Sequence, residues 1–125
     1  MLDMRKEIHE KLMASDLTQV DLHSLEIGDN EIQEIVEEII NIRSEADNIY
    51  LNNNKIGNRG AMLLAQGLSP LLNLSFNDLQ FNNIDKEGAE AIFTLKTTHP
   101  GLRIALHGNK ISDALEMHKI EQKYE

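Results

Sequence analysis

The sequence predicts an α/β solenoid: about four strand-helix units stacked into one array, with a parallel sheet on the concave face, helices on the convex face and a capping helix at the N-terminal end. Two periodicities predict it. The first is a run of spaced apolar residues ahead of an asparagine, with isoleucine two places after it. It passes through Leu22, Leu25, Ile27, Asn30 and Ile32, then Ala46, Ile49, Leu51, Asn54 and Ile56. It returns, with one polar exception at Asn77, in Leu74, Asn77, Leu79, Asn82 and Ile84, and last in Gly101, Ile104, Leu106, Asn109 and Ile111. The asparagines at the fourth place stand 24, 28 and 27 residues apart. The second periodicity lies between these units, where Ile56, Gly60, Leu64 and Leu68, then Ile84, Gly88 and Ile92, recur at the helical spacing of four.

Each element follows from what it must bury. Met4, Ile8 and Leu12 recur at helical spacing, with Glu7 and Lys11 set for an i, i+4 pair, so residues 4–14 are expected to form the helix that covers the first unit's edge. Within a unit, alternate apolar side chains fall on one face of the strand, and only stacking against neighbouring units buries that face. The asparagine after the strand carries two donors and an acceptor, able to satisfy backbone groups where the ladder stops. Asn30, Asn54, Asn82 and Asn109 are therefore expected to form a buried ladder.

The stretch from Glu31 to Arg43 sets Ile32, Ile35, Val36, Ile39 and Ile40 against Glu31, Glu34, Glu37 and Glu38. This is an amphipathic helix, and its acidic side reads as a solvated convex face rather than a metal site. Gly60 and Gly88, each costing about 0.5–1 kcal/mol relative to alanine within a helix, imply a close approach of helix to sheet. Two registers fit the third unit. Asn82 keeps the spacing to its neighbours even but turns a polar Asn77 inward; the alternative places Asn77 itself in the ladder, five residues earlier. Ser112 is expected to cap a last helix that turns Ala114, Leu115 and His118 inward, with residues 121–125 fraying. The repeats then span 22–45, 46–73, 74–100 and 101–122 of a single domain, 1–125.

At 125 residues and 41% apolar content, the chain supports one domain with a modest core. No apolar run approaches the roughly 20 residues that cross a bilayer, and the charged N-terminus lacks an apolar secretory stretch, so a soluble, unprocessed, cytoplasmic protein is expected. The absence of cysteine removes disulfides and thiolate metal sites. A net charge of −9 counts against nucleic acid, whose binding draws on clustered Lys and Arg, and favours a partner protein with a basic or polar surface. The same charge equally serves solubility alone. No cofactor or metal is expected, because His9, His23, His99, His107 and His118 fall in no ligand or triad spacing.

Strand, asparagine turn and the L-x-x-x-G-x-x-x-L-x-x-x-L helix pattern, over about Leu22 to Leu115, resemble the ribonuclease-inhibitor-like leucine-rich-repeat family. The resemblance implies a binding scaffold rather than an enzyme, engaging a protein partner through the concave sheet. One branch resembles GTPase activators, for which Arg43, Arg59 and Arg103 are the internal arginines available. Val36 stands where the first helix's glycine is expected, Lys96 at the third helix's last leucine, and Ala46 and Gly101 at strand leucines. Short arrays with a tail bearing Glu116, Glu121 and Glu125 also resemble effectors that intracellular bacteria such as Legionella inject into host cells.

Outward positions of such a sheet flank the inward apolar ones. They read as Ser24, Glu26, Gly28 and Asp29 in the first unit and Asn48, Tyr50, Asn52 and Asn53 in the second. The third offers Phe76, Asp78, Gln80 and Phe81, the fourth Arg103, Ala105, His107 and Gly108. Glu26, Asn48, Tyr50, Asn52, Asp78, Gln80, Phe81, Arg103 and His107 make up the candidate protein-binding face. It centres on Tyr50, since an exposed tyrosine buries large area at low entropy cost. The plainer alternative is a tyrosine packed on its strand neighbours, with Phe76 and Phe81 drawn into the core.

Overall fold

Strand and helix alternate along the chain as the two periodicities require. The computed structural model describes residues 4–124. In order they form α1 (Lys6–Ala14), β1 (Gln19–Asp21), α2 (Asp29–Ile42), β2 (Asn48–Tyr50), α3 (Asn58–Gly67), β3 (Phe76–Asp78), α4 (Lys86–Phe93), β4 (Arg103–Ala105) and α5 (Ala114–Lys123). The strands pair in parallel in the order β1-β2-β3-β4. Val20, Ile49, Asn77 and Ile104 stand opposite one another in a row. That row and the following Leu22, Leu51, Leu79 and Leu106 point into the core. Ile32, Ile35 and Ile39 of α2, Ala61 and Leu64 of α3, and Ala89 and Ile92 of α4 close it from the other side. Each fully buried Ile or Leu stabilises the array by about 1.5–3 kcal/mol.

The first unit starts five residues earlier than its sequence suggests. Val20 pairs with Ile49, so Leu25, not Asn30, takes the place that Asn54, Asn82 and Asn109 hold in later units. Asn30 is exposed in the first turn of α2 and belongs to no ladder. The reason lies in what the asparagines do. Asn54 Oδ1 accepts from the N–H groups of Leu25 (3.0 Å) and Ile27 (2.9 Å), and its Nδ2 donates to the carbonyls of Leu22 and Leu51, both at 3.0 Å. Asn82 likewise takes Ile56 N–H at 2.9 Å and donates to Leu51 and Leu79, and Asn109 takes Ile84 N–H at 2.9 Å and donates to Leu79 and Leu106. Each asparagine serves the unit before its own. The first unit has none before it, so a leucine suffices there.

The same shift moves the helix glycine. Asp29 of α2 corresponds to Asn58 of α3, which makes Glu31, rather than Val36, the counterpart of Gly60. A Cβ on Gly60 would fall 2.5 Å from Asp29 Oδ1, and one on Gly88 would fall 2.5 Å from Asn58 Oδ1. The close approach is thus to the first-turn side chain of the preceding helix, not to the sheet. Asp29 Oδ1 accepts from Gly57 N–H at 2.7 Å and Asn58 Oδ1 from Gly88 N–H at 3.0 Å, tying one helix start to the next.

Two arginines fasten α1 to the first unit. Arg5 Nε donates to Glu31 at 2.6 Å and its Nη2 to the Leu25 carbonyl at 2.6 Å; Arg43 Nη2 reaches the carbonyls of Leu12, Met13 and Ser15. Ile8 and Leu12 are buried as expected. The ion pairs differ from expectation: Glu7 meets Arg5, and Lys6 meets Glu10 at 3.8 Å, where a Glu7 to Lys11 pair was anticipated. At the other end, Asp113, not Ser112, caps α5 by accepting from Leu115 N–H at 2.9 Å. Ala114, Leu115 and His118 face solvent, while Ile120 and, in part, Met117 face inward. Helix α5 continues to Lys123 instead of fraying from 121, because Lys123 bonds Glu90 and Tyr124 packs near Phe93. Glu125, counted in the expected frayed tail, lies outside the described residues.

The third register is the one with Asn82 in the ladder. Asn77 consequently lies fully buried between Ile49 and Ile104, and neither of its amide atoms has a hydrogen-bond partner. Replacing it by valine should raise stability in urea denaturation by about 1 kcal/mol or more, since an unpartnered buried amide is costly. A lower midpoint would show that the amide is satisfied. Asn82→Ala should instead lower stability by about 2 kcal/mol, leaving the buried Ile56 N–H without its acceptor and removing one of two asparagine donors from each of the Leu51 and Leu79 carbonyls.

Candidate protein-interaction face

Outward side chains of the sheet form three rows, because backbone pairing continues past the strands through Leu22 N–H to the Tyr50 carbonyl, Ser24 to Asn52, Asn53 to Gln80 and Phe81 to His107. The rows are Gln19, Asn48, Phe76 and Arg103; Asp21, Tyr50, Asp78 and Ala105; and His23, Asn52, Gln80 and His107. Asn48, Tyr50, Asn52, Asp78, Gln80, Arg103 and His107 therefore share one face. Glu26 does not. It sits in the turn after β1 with a φ of 54° and pairs with Lys55 at 3.4 Å. The first unit's face is made by Gln19, Asp21 and His23 in place of Ser24, Glu26, Gly28 and Asp29. The alternation of Val20 and Leu22 was the available signal for them, hidden because no asparagine follows it.

An aromatic ridge crosses this face. Tyr50 and Phe76 meet edge to face at 5.9 Å between ring centroids, and the Arg103 guanidinium lies 5.0 Å from the Phe76 centroid. Tyr50 is half-buried, and neither Phe76 nor Phe81 enters the core. Asp78 is only 8% exposed, and its Oδ1 accepts from Gln80 N–H at 3.0 Å and Gln80 Nε2 at 3.1 Å. It orders Gln80 more than it offers an open charge. Asp21 is the exposed carboxylate of that row, with His23 Nδ1 at 2.5 Å.

Beyond the third row the backbone turns left-handed at one equivalent position in every unit: Ser24 (φ 56°), Asn53 (58°), Phe81 (57°) and Gly108 (78°). For most L-residues this conformation costs about 1–2 kcal/mol, which glycine avoids and asparagine tolerates. Phe81 is the departure. The residue is 49% exposed, and its ring stands edge-on to His107 at 5.6 Å. Gly108 makes the room, since a Cβ there would collide with the Phe81 ring. Phe81 is thus a half-exposed aromatic held in a backbone conformation that most side chains avoid.

Residues considered for chemistry are differently employed. Arg43 is held by backbone carbonyls, Arg59 is exposed in the first turn of α3, and Arg103 lies on Phe76. His99 is buried and satisfied, Nε2 against the Leu71 carbonyl and Nδ1 against Thr98 Oγ1, both at 2.8 Å. Among the described residues, no three His, Cys, Asp or Glu side chains are grouped to hold a metal ion. The displaced titrations lie off the face: the Glu31 hydrogen bond raises the pKa of Arg5, the Glu90 hydrogen bond raises that of Lys123, and the Thr18 backbone N–H lowers that of Asp16.

A family model described as Leucine Rich repeat matches residues 49–65, from β2 into α3, and 78–93, from the end of β3 through α4. The fold is a short leucine-rich-repeat solenoid. Among solved structures, Leiomodin-1 Actin-Binding Site 2 (ABS2) is similar, with a TM-score of 0.75 over 98% of this chain and 73% of that one, at 17% identity. Among curated proteins no sequence match is found. Within the described residues, no helix is long and apolar enough to cross a membrane.

Phe81→Asn should leave stability within about 1 kcal/mol of the parent, relief of backbone strain offsetting the lost ring contacts. A loss beyond about 2 kcal/mol in chemical denaturation would make Phe81 a packing residue.

Proposed function

We propose that this protein is a binding scaffold of the ribonuclease-inhibitor-like repeat type that holds a partner protein against its sheet face. Phe81 carries the reading: a half-exposed aromatic kept in a left-handed conformation and seated against His107 and Gly108. The ridge of Tyr50, Phe76 and Arg103 supplies the residue types that dominate interface energetics. Strand-to-strand steps of 29, 28 and 27 residues, each spanned by an α-helix, support the repeat type. The partner surface that suits this face is polar or basic, with the exposed Asp21 carboxylate beside Tyr50 in one row. Asn48, Asn52, Gln80, Arg103 and His107 supply polar contacts around the aromatics. That a domain of this fold carries an actin-binding site in Leiomodin-1 is in keeping with a protein partner.

Affinity capture from lysate, with Phe81→Asn and Tyr50→Ala as paired controls, identifies the partner, and titration calorimetry then measures it. Each substitution should weaken binding by about fivefold or more, corresponding to about 1 kcal/mol. Unchanged affinity in both folded variants would remove the sheet face from the interaction.

A further inference from the structure

The two ends of the sheet are finished differently. On β1, the N–H groups that point away from β2 all have local partners: Gln19 donates to the Asp16 carbonyl, Asp21 to Ser15 Oγ and His23 to Asp21 Oδ1. Helix α1 lies against this strand, and Val20 is wholly buried. That edge is sealed.

The β4 edge is open. Arg103, Ala105 and His107 direct their backbone groups to β3, through Arg103 N–H to the Ser75 carbonyl and the Ala105 and His107 carbonyls to Leu79 and Phe81 N–H. Alternation then sends the N–H groups of Ile104 and Leu106 outward, where nothing among the described residues accepts them. Beside them runs a groove of about 520 Å³ whose walls include Ile104, Leu106, Ile111, Ala114, Met117 and Glu121. Helix α5 packs on α4 and forms the groove's far wall without covering the strand.

The asparagine ladder states what would fill this place. Ile27, Ile56 and Ile84 each have their N–H held at 2.9 Å by the asparagine of the following unit. Ile111 is their equivalent, and among the described residues no side chain takes its N–H. The Leu106 carbonyl accepts from Asn109, whereas its equivalents Leu51 and Leu79 each accept from two asparagines. We propose that the β4 edge binds an extended segment of a partner protein, of pattern apolar-x-apolar-x-x-Asn, as a fifth parallel strand. Its two apolar side chains enter the groove, its backbone takes the Ile104 and Leu106 N–H groups, and its asparagine bridges Ile111 N–H and the Leu106 carbonyl.

Charge narrows the occupant further. Arg103 and His107 flank the new strand's outward positions, and Lys110 follows in the turn, so an acidic residue between the apolar ones is favoured. A second copy of this chain fits poorly. Its β1 amides are already satisfied and Leu25 stands where the bridging asparagine is needed, while antiparallel pairing of two β4 edges brings Arg103, His107 and Lys110 of both copies together.

The test is an NMR titration of the ¹⁵N-labelled protein with a synthetic peptide copying residues 46–56, which carries Ile49, Leu51 and Asn54 in the required pattern. Saturable shifts are expected at the Ile104, Leu106 and Ile111 amides. Affinity should fall about tenfold for the peptide with Asn54→Ala, and for Met117→Glu or Ala114→Glu in the protein, the second placed at an exposed helix start in case the first unfolds. Tyr50→Ala in the protein should leave peptide affinity unchanged, which separates this edge from the sheet face. Shifts confined to the sheet face, indifference to the peptide's asparagine, or a protein that sediments as a dimer through β4 would each overturn the proposal.

Discussion

Everything in this array depends on an amide side chain of one unit holding the backbone of the unit before it. A strand of three residues makes too few ladder bonds to fix its own register, and the turn beyond it leaves N–H and carbonyl groups facing inward. Asn54, Asn82 and Asn109 join those groups across the seam, two units at a time. This makes the solenoid directional. Each seam is closed by the later unit, so the first needs no asparagine and the last leaves its own turn unserved. Leu25 and Ile111 express one rule at opposite ends. The arginines complete the first end in the asparagines' absence: Arg5 takes the Leu25 carbonyl, and Arg43 takes the end of α1.

Much of this was legible in the sequence because burial imposes period. Helical spacing placed α1, α2, α3 and α4, and three of the four units fell in their true register with their outward residues. The first unit was misplaced by five residues for a physical reason. Leu22, Leu25, Ile27 and Asn30 reproduce the spacing of strand and asparagine, yet only Leu22 extends the strand; the others lie in the turn and at the start of α2, where Ile27 is buried. A spacing of 24 rather than 27 or 28 residues was the trace of that mismatch. The phase of α5 was missed because its burial is set by a single neighbour, α4, which leaves Ile120 and Met117 with little periodic signal. Capping by Asp113 and the carbonyl clamp of Arg43 depend on side-chain reach, which spacing does not encode.

The sheet face is built on that frame. Its rows are fixed by the core residues behind them, and that register brings Tyr50, Phe76 and Arg103 together. Phe81 goes further and stands against local preference. Three units meet the left-handed turn with serine, asparagine or glycine, residues that are small or suited to it, and one meets it with a large ring. The glycine beside that ring belongs to the next unit, so the ring's seat is completed across the seam between β3 and β4.

The buried Asn77 belongs to the same account. The segment from Phe76 to Ile84 holds the sequence Phe-Asn-x-aliphatic twice, five residues apart, as Phe76-Asn77-Asp78-Leu79 and Phe81-Asn82-Asn83-Ile84. In the competing register Asn77 would bridge to β2 and Phe76 would occupy the left-handed position. That arrangement would start β3 near residue 71, leaving only about three residues to bring the chain back from the end of α3 at Gly67. Leu71 and Leu74, both buried, anchor the longer return instead. The length of α3 and its return thus decide between two local signals of equal quality. The losing asparagine stays in the core, unpartnered, because the turn that would have satisfied it has been drawn into the strand.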